Sequence, residues 1–199
     1  MKNIWDTLTP QRQQKIKKVL STRQKTLSLV LNNIHDPHNV SAILRSCDAF
    51  GVPEVHLLYT QEAFPVLGRK SSASAKKWVK TVRHTNPSSM ITFLSKQGFK
   101  LIRTGFSKQA KKIIDIDFTQ PVAVILGNEH RGVEEDLCAL VSEELYIPMY
   151  GMVQSFNVSV AAAIILYEAW RQRYLQGMYD MPSYSAEELK RLELEWANK

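Results

Sequence analysis

Three segments of this chain hold side chains whose types and spacing can do chemistry, and each follows a stretch that reads as a strand. In the first, residues 32–45 (NNIHDPHNVSAILR), Asp36 and Pro37 open a helix that carries Asn39 in its first turn and Arg45 six residues on. Six residues advance an α-helix by about 600°, so these two do not share a face, and Asn39 can position a neighbour while Arg45 reaches elsewhere. A surface salt bridge is the plainer role open to Arg45. The second segment, residues 125–133 (ILGNEHRGV), has Leu126 and Gly127 at the carboxyl end of a strand. There a glycine lets the backbone come close to a ligand, and Glu129 is the only acid of the turn. The third, residues 147–161 (IPMYGMVQSFNVSVA), places the Ser155 hydroxyl and the Asn157 amide near the positive end of a helix, with Ile147, Met149 and Phe156 as apolar neighbours. Each of those three apolar residues would serve equally well as ordinary core.

Other chemistries lose their support. No G-x-G-x-x-G, G-x-x-x-x-G-K-[ST] or G-x-S-x-G pattern is present, which argues against dinucleotide, P-loop and nucleophile-elbow sites. His35, Asp36 and His38 flank a proline in a turn with no third ligand spaced nearby, so no metal is expected. Cys47 reads as core. It and Cys138 are too few for a disulfide framework.

The elements that must position these segments alternate. Residues 26–31, 55–59, 100–104, 122–126 and 145–147 read as strands, and residues 37–50, 87–97 and 134–141 as helices, with a polar Ser- and Lys-rich loop after residue 59. This order predicts an α/β fold with a mostly parallel sheet, helices on both faces, and ligands bound beyond the carboxyl ends of the strands. Residues 155–176 form a helix with almost no polar face along Val158, Val160, Ala161, Ala162, Ala163, Ile164, Ile165 and Leu166. Such a helix should be buried on all sides, either at the centre of one monomer or partly under a second subunit of a two-fold dimer. The chain divides into a basic N-terminal helical arm (1–25), the sheet domain (26–176) and a C-terminal helical extension (177–199).

Charge narrows the partners. The 199 residues carry 26 Lys and Arg against 19 Asp and Glu, a formal charge of +7. Seven of the basic residues fall within the first 25 positions: Lys2, Arg12, Lys15, Lys17, Lys18, Arg23 and Lys25, opposed by Asp6 alone. A second run, Arg69, Lys70, Lys76, Lys77, Lys80 and Arg83, has no acid between Val66 and Arg83 and is interleaved with Ser71, Ser72, Ser74 and Trp78. Either cluster alone fits a solvated helix face. Two in one small chain point to nucleic acid, with Arg12, Lys15, Lys17, Lys18, Lys76 and Lys77 as candidate contacts. No apolar stretch approaches the roughly 20 residues that span a bilayer, and the start lacks an apolar signal core, so no membrane association and a cytoplasmic location are expected.

Taken together, and in this order, the three segments resemble the signature motifs of the SpoU (TrmH) family of RNA 2′-O-ribose methyltransferases, over about residues 26–176. The resemblance implies a deep C-terminal trefoil knot of the SPOUT type, a homodimer, and S-adenosylmethionine held in the knot. It makes Arg45 the catalytic arginine, Asn39 and Asn157 residues that order the site, and Ser155 a contact to RNA phosphate. Thr104, Leu126, Gly127, Glu129, Ile147, Met149, Phe156 and Asn157 become the residues around the cofactor, the apolar ones lining an adenine slot. A guanidinium is a poor base at neutral pH, so a role for Arg45 in steadying a developing alkoxide or holding the adjoining phosphate is preferred. Phe156 departs from the family pattern, where leucine is common. Within that family, the short length, the helical extensions at both ends and the basic run at residues 69–79 look most like the members that act on tRNA, and that resemblance implies a D-loop guanosine, at position 18, as substrate. Ribosomal RNA, a catalytically silent RNA-binding dimer and a nucleotide-cofactor oxidoreductase are the alternatives.

Overall fold

A computed structural model describes residues 4–66 and 75–199; Arg69 to Ser74 of the second basic run lie outside the described residues. Helix starts are written locally. Thr9 caps α1 (Pro10–Ser21), Asp36 caps α2 (Pro37–Ala49) and Asn86 caps α4 (Pro87–Lys96), each side chain accepting a backbone N–H with proline at the first helical position. Between these lie β1 (Leu27–Asn32), β2 (Glu54–Leu58), the single turn α3 (Ala75–Trp78) and β3 (Lys80–His84). After them come β4 (Lys100–Thr104), β5 (Lys111–Lys112), β6 (Val122–Leu126), α5 (Glu135–Leu140), β7 (Glu144–Tyr146), α6 (Val158–Leu175) and α7 (Ala186–Ala197). The last begins with a reciprocal pair in which Ser185 and Glu188 each accept the other's backbone N–H.

Seven strands form one parallel sheet in the order β3-β2-β1-β6-β4-β7-β5. Every residue of the central pair β1 and β6 is buried, as expected of strands covered on both faces. Alternation then sorts the side chains. Leu27, Leu29, Leu31, Val122, Val124 and Leu126 face α2 and α6, whereas Val30, Ala123 and Ile125 face α4 and α5. α3 and β3 fall where the sequence reads as polar loop, and the two-residue β5 was also missed. Both strands are sheet edges whose Lys80, Lys111 and Lys112 leave no apolar run to read.

α6 is not buried on all sides within one chain. Val158, Ala162, Ile165, Leu166 and Ala169 pack into the core, but Val160, Tyr167 and Tyr174, spaced seven apart along one side, are about half exposed. A single chain covers only one side of this helix. Near its end, the fully buried Arg173 uses all five guanidinium N–H groups, donating to Gln24, Thr26 (side chain and backbone), Phe118 and Gln120. The two terminal extensions share one apolar cluster, in which Ile16 and Leu20 of α1 meet Leu189, Leu192 and Trp196 of α7 together with Trp78.

Candidate functional site

Sheet order decides where a cleft can form. β4, β6 and β7 end side by side at Thr104, Leu126 and Tyr146, and beyond those ends lies a cleft of about 830 Å³. Thr104, Leu126, Gly127, Glu129, Ile147, Met149, Ser155, Phe156 and Asn157 all line it. The eight residues that the sequence assigns to a cofactor thus converge on one concavity. Its wall is apolar at Leu126, Leu145, Ile147 and Phe156 and polar at Thr104, Glu129, Glu144, Ser155 and Asn157.

Side chains tie the three motifs together beside this cleft. Asn39 donates to a Glu129 carboxylate oxygen at 2.8 Å, and Asn157 donates to the Asn39 side-chain oxygen at 3.1 Å. Glu129 also accepts the backbone N–H groups of His35 at 3.1 Å and Asp36 at 3.4 Å. Partial burial pushes the Glu129 carboxyl up, but the donors from Asn39, His35 and Asp36 outweigh it and hold the group below the ordinary glutamate range, as a carboxylate. Asn157 does two tasks, since its oxygen also accepts from the Ser159 backbone at 2.8 Å and so caps α6.

Further asparagines fix the loops. Asn33, in the left-handed region at φ 50°, accepts from the backbones of Thr60 and Gln61, while Asn128 donates to the Asn33 carbonyl at 2.7 Å and Asn32 accepts from the Glu134 backbone at 3.0 Å. Arg131 spans to Glu62 and Glu134 at 3.1 and 3.3 Å. Gly127, which lines the cleft, also lies close to its own chain. A Cβ there would stand 2.1 Å from the Gly132 carbonyl carbon and 2.2 Å from the Val133 nitrogen, so the close approach is by the chain's own returning loop.

Arg45 stands apart. It is exposed on α2, lines no part of the cleft, and among the described residues has no hydrogen-bond or ion-pair partner, unlike Asn39 on the same helix. Of the basic candidates, Lys15, Lys17, Lys18, Lys76 and Lys77 are exposed, whereas Arg12 is half-buried with its guanidinium 5.0 Å over the Trp78 ring. Sequence reading missed Arg103 and Glu144, an ion pair at 2.7 Å on the cleft wall. Glu144 also accepts the Ser107 backbone N–H at 2.9 Å, and Gly105 leaves room for it, since a Cβ there would fall 2.0 Å from the same carboxylate. Their positions in strands gave no signal beyond ordinary edge charges. Among the described residues no group of His, Cys, Asp and Glu is arranged to hold a metal, and no helix is long and apolar enough to cross a membrane.

The model of the SpoU rRNA methylase family matches residues 26–167. The tRNA (guanosine(18)-2′-O)-methyltransferase of Thermus thermophilus is 42% identical over 191 residues, covering 96% of this chain and 98% of the relative. The enzyme of the same name from Escherichia coli is 39% identical over 172 residues, 86% and 75% of the two chains. Among solved structures, a tRNA-modifying TrmH/SpoU enzyme from A. aeolicus superposes with a TM-score of 0.88 at 37% identity, over 94% of this chain and 95% of that one. The SpoU methyltransferase AviRb from Streptomyces viridochromogenes, solved in complex with AdoMet, gives 0.65 at 28% identity over 77% and 59%. With its three motifs joined at one cleft and a family match over most of its length, the chain belongs to the SpoU methylase family.

Proposed function

We propose that this protein methylates the 2′-oxygen of a ribose in tRNA, the guanosine at position 18 of the D-loop, with S-adenosylmethionine as donor. The observation that carries the reading is the Asn157–Asn39–Glu129 chain of hydrogen bonds, which brings residues from three distant segments to one cleft. The relatives that span nearly all of this chain bear that activity in their names.

The cleft fits the donor. Its volume suits a nucleoside-sized ligand, its apolar wall suits an adenine face, and the Glu129 carboxylate suits a cation. When bound, S-adenosylmethionine supplies an electrophilic methyl group on a sulfonium sulfur. Leu126, Ile147, Met149 and Phe156 hold the adenine end, Thr104, Gly127 and Asn157 fix its polar edges, and Ser155 holds an RNA phosphate. Arg45 steadies negative charge on the attacking ribose oxygen. Because Arg45 lies outside the cleft of its own chain, it serves the cleft of a second copy. The half-exposed Val160, Tyr167 and Tyr174 and the exposed Tyr150, Met152 and Val153 supply the apolar surface for that pairing. In this homodimer the 2′-hydroxyl requirement selects RNA over DNA, and a tRNA substrate places the work in the cytoplasm. The chain around motifs two and three forms the family's trefoil knot.

Mapping ribose methylation on tRNA incubated with the protein and labelled donor tests the reading. Label at a single D-loop guanosine is expected. Arg45→Ala should abolish most of it while leaving donor affinity within about twofold. Label confined to ribosomal RNA, or none on any RNA, would overturn the assignment.

A further inference from the structure

The strand β4 ends in a loop that none of the three motifs includes. Residues 105–114 carry Phe106, Lys108, Lys111 and Lys112 and no acid. Phe106 lines the rim of the large cleft yet is 69% exposed, so most of its ring faces solvent rather than packing into the wall. All three lysines are exposed, and among the described residues none has an ion-pair partner. This contrasts with Lys25, Lys80 and Lys100, each held by a glutamate.

The loop is held firmly at both ends. At its root, Gly105 donates to the Leu145 carbonyl at 3.0 Å and sits against Glu144, whose carboxylate accepts from Ser107 and pairs with Arg103. A turn from Ala110 N–H to the Ser107 carbonyl closes the tip, and Lys111 and Lys112 then pair with Leu145 and Tyr146 as the edge of the sheet. Exposing a large aromatic ring costs free energy unless a ligand covers it, and here the ring is presented on fixed backbone beside unpaired cations.

We propose that this loop is an RNA-binding element at the mouth of the cleft, in which Phe106 stacks on one unpaired base next to the target nucleotide and Lys108, Lys111 and Lys112 hold the flanking phosphates. A π-face accepts any base, and three unpaired lysines match the charge of a single-stranded backbone. The inference rests on the methyltransferase reading for the identity of the RNA, but not for the contact itself.

Direct tRNA binding and donor binding, measured separately on the full-length protein, test it. Phe106→Ala should weaken tRNA binding and raise the tRNA KM by about tenfold, with donor affinity within twofold, and Phe106→Trp should restore both. Replacing Lys108, Lys111 and Lys112 by Ala should flatten the slope of log affinity against log salt by about 2. A loss of donor affinity with tRNA binding unchanged would make Phe106 a wall of the donor pocket and overturn the proposal, as would two unchanged affinities. If the wild type binds tRNA without methylating it, the function assigned above fails while the Phe106 comparison still decides this one; if the wild type does not bind tRNA, both fail.

Discussion

Asn157 donates its side-chain amide to the side-chain oxygen of Asn39 at 3.1 Å, across 118 residues of sequence. The same Asn157 caps α6 through its other atom, so helix start and site geometry are joined in one side chain. The two tasks can be separated. Asn157→Asp keeps the capping oxygen but loses the donor to Asn39, whereas Asn157→Ala loses both. Thermal unfolding should show about 1 kcal/mol lost in the alanine variant and little in the aspartate variant, while methylation falls at least tenfold in both. Full activity in Asn157→Asp would mean that the contact to Asn39 has no bearing on the site.

Gly127 and Gly132 make a second pair with opposite expectations. Gly127→Ala drives a Cβ into the backbone of Gly132 and Val133 and must open the loop that holds Glu129, so about 3 kcal/mol of stability and most donor binding should go. At Gly132 space is open and only the positive φ of 73° resists a side chain, so Gly132→Ala should cost about 1 kcal/mol. Denaturant midpoints and donor titration on both variants check the order, and a milder effect at Gly127 would contradict it.

A buried histidine gives the fold a pH dependence. His56, on β2, lies against His84 of β3 at 3.0 Å, with Glu54, Lys80 and Phe93 around it. Burial first, then the charges of His84 and Lys80, lower its pKa from 6.5 to about 4. His84 is shifted the same way, by burial. Between about pH 6.5 and pH 4 the unfolded chain binds a proton at His56 that the folded chain refuses, so stability falls as pH falls through that window. From pH 7 to pH 5 the loss from His56 alone is about 2 kcal/mol. Urea midpoints should therefore drop on acidification, and less steeply for His56→Gln. Parallel pH profiles for the two proteins would rule out His56 as the source.

On the outer face of α1, Lys15, Lys17 and Lys18 are exposed while Ile16 and Leu20 are held in the cluster with α7. Replacing the three lysines by Ala should spare stability within about 0.5 kcal/mol, weaken tRNA binding, and flatten its salt dependence. An unchanged salt slope would clear this helix of phosphate contact.

Local rules placed most of the elements. The pairs Thr9-Pro10, Asp36-Pro37 and Asn86-Pro87 mark three helix starts because a side-chain oxygen next to a proline satisfies and fixes the first turn without help from the rest of the chain. Buried runs such as residues 27–32 and 122–126 could be read as strands for a similar reason, since a strand covered on both faces is largely apolar, here interrupted only by Ser28 and Asn32. The motif residues were legible by type and order, and every one assigned to the donor lines the cleft.

What sequence could not carry is pairing between distant segments. That Gly127 lies against a returning loop, that Glu144 supports the residues after β4, and that Arg12 stacks on Trp78 all depend on which surfaces meet in three dimensions. α6 shows the division most clearly: its composition states that nearly all of it avoids water, but only the folded chain reveals which side the core covers and which side, at Val160, Tyr167 and Tyr174, is left open. Composition sets how much apolar surface must be buried, while the packing of elements far apart in the chain sets where.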